Sequence, residues 1–167
     1  MNRTLLVIDI QKDYFSGGAL PLWQADETES HILSAIAKAR AAGDNVVLVQ
    51  HISAASTGLF AKDGAGTAIR DNVLKAADNA PVVIKSSADA FQDTDLAGHL
   101  NGTDELLICG MMTQNCVVFT AMSRAADGIV VKVIGDLCTA PTETVHRIAL
   151  NALGSKLPVL VAADVWK

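Results

Sequence analysis

Short apolar runs of strand length recur along this chain, with helix-patterned segments between them, and that alternation limits the folds open to it more than any other feature. The runs fall at residues 4–8, 45–51, 81–84, 106–109, 129–134 and 157–162. Between the first two, residues 28–42 place Ile32, Ile36 and Ala39 on one face, with Leu33, Ala37 and Arg40 beside it. Thr28 or Asp26 is the expected cap of this helix and Gly43 its stop. Shorter helical pieces are expected at 68–77, at 95–100 with Thr94 as cap, and at 142–153 after Pro141.

Strands that alternate with helices predict a mostly parallel sheet with right-handed crossovers and helices on both faces. The expectation is an α/β, three-layer α/β/α, Rossmann-like arrangement around six strands. Composition agrees: half of the residues are apolar, only 4% are aromatic and 19% are charged, which suits a sheet buried on both faces by Ala-rich helices. A length of 167 residues points to a single domain over 1–167 with a substantial core. No internal repeat or low-complexity segment interrupts it.

Several function classes are disfavoured. A formal charge of −5 leaves no basic footprint for nucleic acid. No apolar run approaches the roughly 18 residues that span a membrane. The opening Met-Asn-Arg-Thr runs into a strand without a signal-peptide cleavage region, so the cytoplasm is the expected compartment. Cys109, Cys116 and Cys138 are odd in number and lack zinc-site or Cys-x-x-Cys spacing, so no disulfide framework is expected. Cys109 and Cys138 read as packing residues.

Chemistry concentrates where the runs end. Residues 4–8 end on Asp9, residues 81–84 end on Lys85, and residues 106–109 lead through Gly110 and the polar turn Thr113-Gln114-Asn115 to Cys116. Strand carboxyl ends share one edge of a parallel sheet, which is where ligands bind in such folds. A helix is expected after the turn, on the spacing of Val117, Val118, Ala121, Met122 and Ala125, with Thr113 or Asn115 as cap. Cys116 then sits in a first helical turn, whose positive dipole end favours thiolate and whose free N–H groups can hold an oxyanion. A free cysteine is equally often a small buried apolar residue. Asp13 fits a turn-capping role, and Asp136 follows the fifth run. The irregular 52–66 loop has the length of a lid or pocket wall, with Phe60 its one large apolar residue.

Three segments together carry a resemblance to the isochorismatase-like cysteine hydrolases, a group that includes nicotinamidases and other small amidases. They are Leu-Leu-Val-Ile-Asp-Ile-Gln-Lys-Asp-Tyr-Phe at 5–15, Val-Ile-Lys-Ser-Ser-Ala-Asp-Ala-Phe at 83–91 and Gly-Met-Met-Thr-Gln-Asn-Cys-Val at 110–117. Gly-Asp-Leu-Cys at 135–138 and the following His146 also look familial. The resemblance implies Asp9 as general base, Lys85 as the cation that holds Asp9 as a carboxylate and acidifies the thiol, and Cys116 as the nucleophile that forms a thioester. It also implies a cis peptide at Met111–Met112 and an oxyanion hole from the N–H groups of Met112 and Cys116.

Metal-binding members carry Asp-x-His and further histidines after the second strand, whereas this chain has Gln50-His51 and then no histidine until His99. No metal and no organic cofactor are expected. Isochorismatases proper cleave a vinyl ether without a cysteine thioester, so Cys116 shifts the expectation toward amide hydrolysis. The candidate reaction is C–N cleavage of a small molecule. The alternatives are an enol-ether hydrolase and a silent scaffold of the same fold. Tyr14, Phe15, Trp23, His51 and Phe60 are candidate pocket residues, each of which also reads as a structural residue. A homo-oligomer, dimer or tetramer, is expected.

Overall fold

A computed structural model describes all residues, 1–167. The sheet has six strands, all parallel, in the order β3-β2-β1-β4-β5-β6. These are β1 (Arg3–Ile8), β2 (Asn45–His51), β3 (Val82–Lys85), β4 (Glu105–Met111), β5 (Val130–Thr139) and β6 (Val159–Leu160). The helices are α1 (Ala25–Ala41), α2 (Asp71–Ala77), α3 (Leu96–His99), α4 (Val118–Ala121), α5 (Glu143–Gly154) and α6 (Ala162–Val165).

The central strands are buried as their composition demands: Leu5, Leu6, Ile8, Leu106, Leu107 and Ile108 are each 0% exposed. α1 buries Ile32, Ile36 and Ala39, the face read from its spacing. The edge strand β3 differs: Val83 and Lys85 are buried while Val82 and Ile84 are exposed, because the crossover that follows it carries only the four-residue α3. At the C-terminus, Trp166 is buried and its Nε1–H donates to Asp44 Oδ2 at 2.8 Å, while Arg3 Nε donates to Oδ1 of the same carboxylate at 2.9 Å.

Several local expectations need correction. α1 begins one turn early, after Gln24 in a left-handed conformation, so Asp26 and Thr28 lie inside the helix. The helix near 68–77 begins only at Asp71, and Asp95 rather than Thr94 occupies the N-cap position of α3, although Thr94 Oγ1 accepts from Leu96 N–H at 3.3 Å. The helix after Cys116 stops at Ala121, and a separate 3-10 turn, Arg124–Ala126, follows. Asp136 does not come off β5 but lies within it, at an irregularity where the β4–β5 register jumps from Ile108↔Val133 to Gly110↔Cys138. Its Oδ1 accepts from Ala162 N–H at 2.9 Å, which anchors the start of α6. β6 keeps only two residues of the expected 157–162 run. α5 lies within one residue of the expected 142–153, with Thr142 as its N-cap, its hydroxyl accepting from Val145 N–H at 3.2 Å.

Gly110 is the tightest point between the two strands that flank the sheet's reversal of order. Its φ is +123°, and a Cβ there would lie 2.1 Å from Ile8 O and 2.7 Å from Ile8 N. Gly98, in the exposed helix α3, has nothing within 4 Å. Gly110→Ala should therefore lower stability by about 4 kcal/mol or prevent folding, whereas Gly98→Ala should be neutral or stabilise by up to about 1 kcal/mol. Urea unfolding of both variants checks the contrast.

Candidate active site

The strand order places β3, β2, β1 and β4 side by side, and their carboxyl ends deliver four polar side chains to one edge. Lys85 is the last residue of β3 and pairs in register with His51, the last residue of β2. Asp9 follows β1, and Cys116 lies in a single π-helical turn, Thr113–Val117, after β4. The order reverses between β1 and β4, so Asp9 and Cys116 flank the switch point where open α/β sheets hold their ligands. Asp9 turns off the strand with φ +57°, a left-handed conformation that Asp tolerates better than most residues; its N–H still donates to Val49 O at 3.0 Å.

Lys85 joins the group. Its Nζ donates to His51 Nδ1 at 2.8 Å, to the Ser87 carbonyl at 2.9 Å and to Cys116 Sγ at 3.2 Å. Asp9 Oδ2 lies 3.0 Å from the same nitrogen in a buried ion pair, and Lys85 and the Cys116 thiol are the polar groups that face its carboxylate. The Asp9 and Lys85 side chains are 0% exposed and Cys116 is 2% exposed. A buried carboxylate beside a thiol is within reach of its proton.

Burial opposes the thiolate that the helix end favours. Burial pushes the Cys116 thiol up to about 12, the Asp9 charge adds to that, and Lys85 only partly opposes it. Burial likewise raises Asp9 against the pull of Lys85. Desolvation thus disfavours the thiolate and works against the helix-end effect. Neither Thr113 nor Asn115 acts as a side-chain cap of this turn. Thr113 instead pairs its hydroxyl with His146 Nδ1 at 2.8 Å, which ties the turn to α5. The Met111–Met112 peptide is cis.

The candidate pocket residues separate into two groups. Tyr14 and Phe60 are buried edge-to-face at 4.8 Å between ring centroids, and the Phe60 ring also lies 5.6 Å from His51. Burial, with the Asp9 charge nearby, raises the Tyr14 phenol far above its ordinary range. Phe15 is a core residue whose ring lies 4.1 Å from the Arg70 guanidinium carbon. Trp23 is half-buried against His146, at 5.7 Å between centroids, one step removed from Cys116 through Thr113.

Other supporting residues escaped sequence reasoning. Gln11 clamps the backbone of His51, donating from Nε2 to its carbonyl and accepting its N–H at Oε1, both at 2.8 Å. Asp13 caps a turn as expected, accepting from Ala19 N–H at 3.1 Å, but it also accepts from Phe60 N–H at 2.7 Å and so pins the 52–66 loop. A Cβ on Gly66 would lie 1.9 Å from Asp13 Oδ1, so that loop closes on the carboxylate only with glycine there. A glutamine after a strand and a lone loop glycine carry no signal that distinguishes such roles.

Asp9, His51 and Cys116 offer one donor atom each within 4.8 Å of one another, the makings of a three-ligand metal site. Lys85 Nζ, however, lies 3.0, 2.8 and 3.2 Å from these same groups, so an ammonium already stands where a cation would sit. The donor set does not fit a resident metal.

Comparison with known proteins agrees with this architecture. The family model described as Isochorismatase domain matches residues 3–164. The uncharacterized isochorismatase family protein YddQ of Bacillus subtilis is 33% identical over 166 residues, covering 92% of each chain. The crystal structure of an isochorismatase family protein from Desulfovibrio vulgaris superposes with a TM-score of 0.89 at 26% identity, over 98% of this chain and 96% of that one. The nicotinamidase/pyrazinamidase PncA of Bacillus subtilis shares the fold, with a TM-score of 0.82 at 23% identity over 96% of this chain and all of that one. With its six-stranded parallel sheet and a family match over nearly its whole length, this chain belongs to the isochorismatase family of hydrolases.

Proposed function

We propose that the protein is a metal-independent cysteine hydrolase that cleaves a C–N amide bond of a small molecule through a thioester. The observation that carries this reading is the buried cluster in which Lys85 Nζ contacts both Cys116 Sγ, at 3.2 Å, and the Asp9 carboxylate, at 3.0 Å. Asp9 takes the thiol proton as sulfur attacks the amide carbon. The N–H groups of Met112 and Cys116 hold the oxyanion. Collapse breaks the C–N bond, and Asp9 returns the proton to the leaving nitrogen. Water, deprotonated by Asp9, then attacks the thioester and releases the carboxylic acid, which restores the thiol. Lys85 keeps a positive charge beside both anionic forms through the cycle. No step needs an organic cofactor.

The 16–27 and 52–66 loops would set the substrate. The same proposal includes one hydrolase domain over 1–167, cytoplasmic location, self-association as a dimer or tetramer, and no nucleic-acid or membrane partner. No helix is long and apolar enough to cross a membrane. One observation favours a second reading: the raised Asp9 could act as a carboxylic acid that protonates a vinyl carbon, as enol-ether hydrolysis requires.

Intact-protein mass spectrometry during turnover of a small-amide panel, with Cys116→Ala as control, separates these readings. An acyl adduct on the wild type alone, with ammonia or amine released and turnover reduced at least about a thousandfold in Cys116→Ala, supports the amidase. Turnover that survives Cys116→Ala contradicts it and supports the enol-ether hydrolase. A thiol held near 12 also predicts that Cys116 alkylation by iodoacetamide rises about tenfold per pH unit between pH 7 and 10. A plateau below pH 8 would show a resting thiolate instead.

A further inference from the structure

The turn that bears Cys116 starts in a way its residues do not favour. Its N-cap is Met112, whose side chain has no oxygen to offer, although the next residue is Thr113, a preferred cap type. A start one residue later would make Thr113 the cap and Cys116 the third residue of the turn. The N–H at that third position is one that a capping hydroxyl takes. In the proposed mechanism the same N–H holds the oxyanion. The favoured cap and the oxyanion therefore compete for one donor.

What holds the hydroxyl away is His146. Thr113 Oγ1 lies 2.8 Å from His146 Nδ1, both residues are buried, and either tautomer of the ring fixes the oxygen there. The ring is itself anchored. The His146 N–H donates to the Thr142 carbonyl at 3.1 Å in the first turn of α5, and the Trp23 ring lies against the imidazole at 5.7 Å between centroids. Trp23 is bound in turn to the end of β5: its N–H donates to the Ala140 carbonyl at 3.0 Å, and its carbonyl accepts from the Thr139 hydroxyl.

We propose that His146 is a positioning residue that draws the Thr113 hydroxyl off the nucleophile turn and so keeps the Cys116 N–H free for the oxyanion. It acts through Thr113 and not on the substrate. The inference rests on Cys116 being the nucleophile and its N–H an oxyanion donor.

Two kinds of reagent separate the thiol from the oxyanion hole. Iodoacetamide alkylates sulfur by displacing iodide from a saturated carbon, and no oxyanion forms. An aldehyde adds reversibly: the S–C bond forms, the carbonyl π pair moves to oxygen, the thiol proton passes to Asp9, and no oxidant or reductant is needed. Alkylation rates at pH 7 read thiol reactivity. Affinity for acetaldehyde, butyraldehyde and benzaldehyde is read as protection of Cys116 from iodoacetamide, by peptide mass spectrometry. Both are measured in wild type, His146→Leu, Thr113→Val and the double variant, with urea unfolding alongside. His146→Phe, which keeps a ring against Trp23, replaces His146→Leu if that variant does not fold.

His146→Leu releases the hydroxyl to cap the turn, so aldehyde affinity should fall about tenfold or more while the alkylation rate stays within about threefold of wild type. Thr113→Val keeps the side-chain shape without a hydroxyl, so its affinity should stay within about threefold, and adding it to His146→Leu should restore what that variant lost. A bond that matters only as a brace predicts the opposite: equal loss in both single variants and no recovery in the double. That pattern, or unchanged aldehyde affinity in His146→Leu, would overturn the proposal. Absence of Cys116 protection by all three aldehydes in the wild type would instead defeat the nucleophile reading, and this inference with it.

Discussion

A single buried ammonium organises this molecule's active edge. Lys85 Nζ is bound by a ring nitrogen, a carbonyl, a thiol and a carboxylate drawn from four different stretches of chain. Burying a charge without such partners costs several kcal/mol, so the lysine is tolerable only because the strands bring the partners to it. The converse also holds. Asp9 at 0% exposure would lose its negative charge altogether without a cation 3.0 Å away. Neither residue makes sense alone, and the sheet exists at this edge in the form that joins them.

Backbone geometry makes that junction possible. Asp9 leaves β1 in the left-handed region, so its side chain can reach the shared edge while its N–H keeps a sheet-like bond to Val49. Gly110 lets β4 close on β1 where any side chain would strike Ile8. Beyond β4, the Thr113–His146 bond ties the turn that bears Cys116 to α5. On the opposite side of the cluster, Gln11 and Asp13 lock His51 and Phe60. Asp9, His51, Lys85 and Cys116 are thus placed by the sheet, and side-chain bonds brace the loops around them, a division of labour suited to precise positioning.

Much of this was legible in the sequence because periodicity and strand ends are local signals. The six runs became six strands, and the position of Asp9, Lys85 and Cys116 at strand ends was enough to infer a shared edge. What failed to read through depends on distant partners. The cap of α1, the early end of α4 and the inclusion of Asp136 in β5 are decided by packing and register rather than by residue preference. The helix dipole at Cys116 is a local signal, whereas the desolvation that pushes its thiol up is determined only by the folded surroundings. Gln11, Asp13 and Gly66 carry no sequence signature for the long-range contacts they make.

In the proposed mechanism Asp9 and Cys116 compete for stabilisation by Lys85, so that the carboxylate raises the resting thiol and acts as base only as the reaction proceeds. The direct measurement is the rate of Cys116 alkylation at pH 7 in Asp9→Asn against wild type, alongside amide turnover. With Asp9 neutralised, Lys85 faces the thiol unopposed, so alkylation should accelerate about tenfold or more while turnover is lost. Slower alkylation in Asp9→Asn would mean that Asp9 already draws the thiol toward thiolate at rest, and would contradict the account.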